Sequence, residues 1–93
     1  MDWPFNDLEN VAAFTSTKVM RDKEPILYVS HDEDDGAWQF HTGEITKMEE
    51  AMIVTLKEVY IQDSSIGLLA KLQYGYVAER QSNNHEWVIR KKE

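Results

Sequence analysis

The dipeptide Asp35-Gly36 constrains the fold of this chain more than any other feature of its sequence. It separates two runs rich in β-branched and aromatic residues, PILYVSHD before it and AWQFHT after it. Asp-Gly between such runs favours a β-hairpin with a two-residue loop, because glycine readily adopts the positive φ that the turn needs. With Asp35 and Gly36 as the loop, we expect His31 to lie opposite Phe40.

Side chains alternate between the two faces of a hairpin, so this register also predicts which residues are buried. We expect the core to receive the face that carries Leu27, Val29, His31, Trp38 and Phe40. The other face carries Ile26, Tyr28, Ser30, Gln39 and His41. The two histidines of the hairpin therefore point to opposite faces, unless a bulge or a loop of odd length changes the alternation.

The flanking sequence alternates strand and helix patterns. Residues 10–15 predict a short buried strand, followed by a short helix capped by Thr15 or Ser16. A polar connector, residues 43–50, precedes a continuous apolar run over residues 51–56. Such a run is typical of a strand covered on both faces, so we expect it to be a central strand.

The second half of the chain predicts two helical segments and another hairpin. The helical segments cover residues 56–63 and 64–72, and Asp63 or Ser64 can cap the second. The hairpin turns at Asn83-Asn84, and its inner face carries Tyr76, Ala78, Trp87 and Ile89. This order indicates an α+β fold, with a mostly antiparallel sheet of about five to six strands and two or three short helices on one face.

At 93 residues the chain has room for one domain, spanning residues 1–93, in which residues 1–9 form an N-terminal arm. Pro4 disfavours a helical conformation for Trp3, so we expect the arm to be extended or turned. Trp3 and Phe5 then pin the arm to the domain, or alternatively present an aromatic hook to a partner.

Charge and composition narrow the classes of partner. Acidic residues outnumber basic ones by 17 to 10, which gives a formal net charge of −7 and suits a basic protein surface rather than a nucleic acid. The absence of cysteine excludes disulfides and Cys nucleophiles. Because no apolar stretch is long enough to cross a bilayer and the start lacks a signal-peptide pattern, we expect a cytoplasmic protein that binds no membrane. Oligomeric state does not follow from these features.

The four consecutive acidic residues at positions 32–35 are candidate ligands of a metal ion. The acidic loop that they form does not fit a calcium-binding EF-hand, because Gly36 comes one residue early and Gly43 occupies the position of the bidentate glutamate. His31, Asp32, Glu33 and His41 offer donors for a transition metal, but the expected register separates the two histidines. Ser30, His31 and Asp32 are adjacent and cannot converge as a catalytic triad. We therefore predict no catalytic residue, no metal and no cofactor.

Three stretches, DWPF, PILYVSHDEDDGAWQF and AMIVTLKEV, resemble a small family of uncharacterised bacterial proteins. Its members share an Asp-Trp-Pro-Phe arm, a His-Asp-x-x-Asp-Gly-x-Trp-x-Phe hairpin and a Trp-containing last strand, and no reaction is assigned to them. The DDGAWQF segment is also loosely similar to a domain of predicted immunity proteins from toxin systems. That similarity implies a non-enzymatic protein that neutralises a toxin by binding it.

These observations lead to a hypothesis of a small acidic protein that binds another protein and is not an enzyme. Its predicted contact residues are Asp32, Glu33, Asp34, Asp35 and Trp38. The alternative is a metal-dependent protein or an enzyme that uses the region of His31, Asp32 and His41.

Overall fold

The hairpin around Asp35-Gly36 forms the middle of a six-stranded sheet. The structure is a computed structural model that describes residues 3–92. Its strands are β1 Ala12–Ser16, β2 Tyr28–His31, β3 Trp38–His41, β4 Ala51–Thr55, β5 Tyr76–Glu79 and β6 Val88–Lys91. They lie in the order β4-β1-β3-β2-β5-β6, and only the pairing of β1 with β3 is parallel. The fold is α+β, as predicted.

The register of the central hairpin differs from the prediction by two residues. His31 lies opposite Trp38, not opposite Phe40. The loop is longer than expected because the Asp32 N–H bonds the Ala37 carbonyl and the Gly36 N–H bonds the Asp32 carbonyl. The Asp35 carboxylate also accepts a hydrogen bond from the Ala37 N–H, which stabilises this wider turn in place of the two-residue one.

A shift of two residues leaves the faces of a strand unchanged, so most of the predicted core face is correct. Val29, His31, Trp38 and Phe40 are buried. The prediction fails for Leu27, which is half-buried, and for Ile26, which is buried. Both residues precede the start of β2, so strand alternation does not apply to them.

The apolar run that begins at Ala51 forms an edge strand, and the expectation of a central strand is wrong. β4 pairs only with β1, and Ile53 is 67% exposed. An apolar run reports side-chain character and not the number of neighbouring strands, so periodicity alone could not decide the position of β4.

Helices cover one face of the sheet. Helix α1 spans Thr17–Met20, helix α2 spans Leu56–Gln62, and a 3-10 helix spans Ser64–Leu69. Ser16 and Asp63 provide side-chain caps for the first and last of these, as predicted. Together the three bury Val19, Leu56, Val59, Ile66 and Leu69 against the sheet.

A second 3-10 helix, Met48–Glu50, contributes no buried residue. No helix within residues 3–92 is long and apolar enough to cross a membrane.

The N-terminal arm packs against the same covered face. Phe5 is buried and meets Trp38 edge to face, with ring centroids 5.3 Å apart. Trp3 contacts Phe5 and the ring of Tyr60. Phe5 is therefore part of the core and offers no hook to a partner. The predicted arm also includes residues 1 and 2, which lie outside the described residues.

Candidate binding surface

The side of the sheet opposite α1, α2 and the 3-10 helix Ser64–Leu69 is here called the open face. The connector at residues 43–50 lies over part of it, and the 3-10 helix Met48–Glu50 within the connector buries no side chain. Ile53 of β4 lies beside Phe14 of β1, which lies beside Gln39 of β3. Farther across the face, Ser30 of β2 lies beside Val77 of β5. The edges of this face are more exposed than its middle, because Ser30 and Val77 are buried by their neighbours while Ile53 is not.

A groove of about 630 Å³ separates the open face from the connector at residues 43–50. Its lining, here called the apolar groove, includes Phe14, Tyr28, His41, Ile45, Met48 and Ile53. Ile45 and Met48 are each 91% exposed, so the connector displays their side chains to solvent at the groove. Large apolar side chains grouped in this way are typical of a surface that binds another molecule.

Polar contacts hold the connector in place over the sheet. The Lys18 ammonium donates to a carboxylate oxygen of Glu44 at 3.0 Å, and Glu50 lies 4.0 Å away. The hydrogen bond and the charge of Glu44 raise the pKa of Lys18. The Lys47 backbone N–H also donates to the Glu50 carboxylate. The groove is therefore bounded by an anchored segment and not by a loose loop.

A line of hydrogen bonds, here called the polar relay, crosses the open face from Ser30 to Thr46. The Asp32 carboxylate accepts from the Ser30 hydroxyl at 3.0 Å and from the Gln39 amide at 2.7 Å. The Gln39 carbonyl oxygen lies 3.0 Å from Nε2 of His41, and the Thr46 hydroxyl lies 3.0 Å from Nδ1. The relay thus joins the hairpin to the connector.

The relay sets the tautomer of His41. Since the Gln39 amide nitrogen faces Asp32, its carbonyl oxygen faces His41 and can only accept, so Nε2 carries the proton. Nδ1 is then an acceptor for the Thr46 hydroxyl. Burial lowers the pKa of His41, and the negative charge of Asp32 opposes that effect. The neutral imidazole is therefore the form that the open face favours.

The predicted acidic loop divides into two parts. Asp32 is half-buried and belongs to the polar relay. Glu33, Asp34 and Asp35 are exposed, and we call them the acidic tip. None of the three forms an ion pair with any residue in the range 3–92. Trp38 lies fully buried, so its side chain supports the hairpin from below and has no surface to offer a partner.

His31 occupies the covered face of the sheet. Its ring stacks on Trp38 with centroids 3.9 Å apart, and Nδ1 donates to the Leu72 carbonyl at 2.7 Å. His31 and His41 therefore lie on opposite faces and cannot bind one metal ion together, which removes the predicted donor set of the metal alternative. Within residues 3–92, no three residues of His, Asp or Glu are grouped closely enough to hold a metal ion.

No family model, curated protein or solved structure matches this chain. The resemblance to the small bacterial family and the looser similarity to immunity proteins therefore stay predictions.

Sequence reasoning missed the two apolar connector residues that line the apolar groove, Ile45 and Met48. The composition of the segment GEITKMEE indicates a polar connector, although the segment contains Ile45 and Met48 three residues apart. Two isolated apolar residues in a polar connector indicate either anchoring or display. Only the structure shows that both are displayed.

Proposed function

We propose that this protein functions by binding another protein through its open face, and that it is not an enzyme. One observation carries the proposal: Ile45, Met48 and Ile53 are 91%, 91% and 67% exposed at one groove. Leaving three large apolar side chains in water costs free energy of about 1.5–3 kcal/mol each relative to burial. A partner that covers them recovers that free energy.

The charge of the chain supports a basic partner. The net charge of −7 attracts cationic surfaces. Beside the apolar groove the exposed Glu49 contributes to this charge, whereas Glu44 is paired with Lys18 and the exposed Lys47 also lines the groove. The acidic tip lies at the opposite end of β3 from the connector, so it suits long-range attraction better than contact with the groove. We therefore assign apolar anchoring to the groove and electrostatic steering to the acidic tip, in a cytoplasmic setting.

Toxin neutralisation is the narrower form of this proposal. An immunity-type protein needs a surface complementary to its toxin and no catalytic group, and the apolar groove of this acidic chain supports that role. This form depends on the resemblance described above, so it needs a partner to be identified.

The groove can be tested with matched variants. Protein carrying Ile45→Ser and Met48→Ser is compared with protein carrying Leu8→Ser and Leu68→Ser, which are 72% and 80% exposed elsewhere. Crosslinking in a lysate of the source organism, followed by mass spectrometry, should enrich a basic protein with the wild type and the Leu8/Leu68 variant. The Ile45/Met48 variant should lose it. Equal enrichment by both variants would exclude the groove.

The acidic tip is tested on the captured partner. Changing Glu33→Gln and Asp34→Asn should lower the association rate constant at low salt about tenfold and leave the dissociation rate constant nearly unchanged. A tip variant that dissociates faster instead would show that the acidic tip is part of the contact.

A second candidate function rests on the Thr46 hydroxyl, which lies 3.0 Å from the acceptor nitrogen of His41. A hydroxyl on a neutral imidazole is the arrangement of a nucleophile and its base. The enzyme alternative would then use Thr46 and His41 without His31. With p-nitrophenyl acetate, Thr46 would attack the acetyl carbon, His41 would take the hydroxyl proton, and p-nitrophenolate would leave. Mass spectrometry should find acetyl-Thr46, absent in His41→Asn. An unmodified Thr46 would remove this candidate.

A further inference from the structure

Strand β4 is an edge whose outer side carries no protection against pairing. Its sequence AMIVT contains no charged residue and no proline. Natural edge strands usually carry such residues, because unpaired backbone groups otherwise template another strand. At the opposite edge of the sheet, β6 has the sequence VIRK and carries Arg90 and Lys91. Only one of the two edges is therefore open to another chain.

The pairing of β4 with β1 determines which backbone groups face outward. The Leu56 N–H donates to the Val11 carbonyl, and the register places Ile53 opposite Phe14. Hydrogen-bonded pairs alternate along an antiparallel ladder, so Met52 and Val54 bond to β1. The N–H and C=O of Ile53 consequently point to the free edge.

At Ala51 and Thr55, the outward-facing residues on either side of Ile53, only one of the two backbone groups is free to bond another strand. The Ala51 N–H bonds the Met48 carbonyl, which leaves the Ala51 carbonyl. Thr55 is the N-cap of α2, so its carbonyl accepts the first bond of that helix and its N–H remains. Within residues 3–92, the free edge thus presents acceptors at Ala51 and Ile53 and donors at Ile53 and Thr55.

This set of donors and acceptors is complementary to itself. We propose that two copies of this chain pair antiparallel through β4, about a two-fold axis at Ile53. Each Ile53 N–H donates to the Ile53 carbonyl of the other copy, and each Thr55 N–H donates to the Ala51 carbonyl of the other copy. The two groups already used, the Ala51 N–H and the Thr55 carbonyl, are the ones that this pairing does not need.

Side chains favour the same arrangement. Antiparallel pairing brings Glu49, two residues before β4, towards Lys57 of the other copy, two residues after its β4. These opposite charges attract. Within one copy, Lys57 forms an exposed ion pair with Glu9. The two Ile53 side chains become cross-strand neighbours about 5.5 Å apart at Cα, and both lie on the open face. The paired sheets then present two apolar grooves on one continuous surface.

Net charge opposes the pairing, because each copy carries −7. Salt screens this repulsion, whereas the backbone hydrogen bonds of β4 are neutral. The dimer should therefore become tighter as the salt concentration rises, which is the reverse of the salt dependence expected for a basic partner.

Sedimentation equilibrium of wild type, Ile53→Lys and Val88→Lys tests the proposal. Ile53 and Val88 are both 67% exposed, lie on the open face and belong to opposite edge strands. Wild type and Val88→Lys should dimerise with rising concentration, and Ile53→Lys should raise the dissociation constant at least tenfold. A monomeric wild type at about 1 mM, or equal dissociation constants for all three, would overturn the proposal.

Hydrogen exchange of the wild type identifies the interface directly. The amides of Ile53 and Thr55 should exchange more slowly at high protein concentration, because only these two amides gain a partner in the dimer. Concentration-dependent protection elsewhere, with unchanged rates at Ile53 and Thr55, would overturn pairing through β4. The outcome does not depend on the proposed partner of the groove, since no second protein is present.

Discussion

The two faces of the sheet use the same strands for opposite purposes, and the two hairpin histidines show how. His31 and His41 lie at the ends of β2 and β3, one on each face. On the covered face, His31 is stacked on Trp38 and bonded to a carbonyl. On the open face, His41 links a glutamine to a connector hydroxyl beside a groove. The same residue type is a packing element on one face and part of a hydrogen-bond network on the other.

Most polar side-chain atoms buried on the covered face have hydrogen-bond partners. Arg80 is almost fully buried, and its guanidinium donates to the Ile26 carbonyl, the Ser65 hydroxyl and the Asp63 carboxylate. Its charged group also lies 4.0 Å above the ring of Trp87. Nε2 of His31 and Nε1 of Trp87 are the two exceptions, because neither atom has a hydrogen-bond partner within residues 3–92. Stacking on Trp38 for His31, and the guanidinium of Arg80 over the ring of Trp87, are the contacts that these two rings make instead.

The largest expected difference between the faces appears at two adjacent residues of β3. Trp38→Ala removes a fully buried indole and should lower the free energy of unfolding by about 3–5 kcal/mol. Gln39→Ala breaks the polar relay on the open face and should cost about 1 kcal/mol, because water replaces the lost partners. Urea denaturation followed by circular dichroism measures both. Similar losses would mean that the open face is as tightly packed as the covered one.

Arg80 and Arg90 allow the same comparison of the two faces for charged side chains. Arg80 is 3% exposed and pairs with Asp63, so Arg80→Ala leaves buried acceptors without a donor. We expect a loss of about 3 kcal/mol, at the lower end for a buried pair because Asp63 is 24% exposed. Arg90, paired with Glu79 on the open face, is 53% exposed. Arg90→Ala should cost less than about 1 kcal/mol in the same denaturation experiment.

One result would contradict the expected difference between the two arginine variants. If Arg90→Ala proved as costly as Arg80→Ala, the surface pair would be contributing far more than screened surface charges normally do. Repeating both measurements at high salt separates the cases. Salt should reduce the small effect of Arg90 and leave the effect of Arg80 nearly unchanged.

The covered face was largely predictable from sequence, and the reason is periodicity. Alternation around Asp35-Gly36 predicted that Val29, His31, Trp38 and Phe40 share a buried face, and a register error of two residues could not disturb it. Caps were equally local: Ser16 and Asp63 act through bonds to backbone groups within three residues. Features that depend on neighbours in sequence could be predicted well.

The hairpin residues of the open face, Tyr28, Ser30, Gln39 and His41, were predictable by the same alternation. The apolar groove and the edge position of β4 were not, because they depend on contacts between segments far apart in the sequence. Nothing local distinguishes Ile53, which is exposed, from an apolar residue of a central strand. The position of β4 at an edge follows from which strands β1 accepts as neighbours, and that is a non-local choice. The exposure of Ile45 depends likewise on the path of the connector over the sheet. Glu44 anchors this path through Lys18, 26 residues away, and Thr46 anchors it through His41 of β3.

The smallest expected effect concerns the pH dependence that His41 adds to the open face. Burial lowers its pKa in the folded state below the ordinary value of 6.5, so the unfolded chain takes up the proton first as pH falls. The contribution of His41 to stability is therefore fully present above about pH 6.5 and is lost as pH falls through the lowered pKa. Between pH 7.5 and 5.5, wild type should lose more stability than His41→Asn. Because His31 and His85 remain in both proteins, the difference between the two urea-denaturation profiles isolates His41. Parallel profiles would show that the open face leaves this imidazole as solvated in the folded protein as in the unfolded chain.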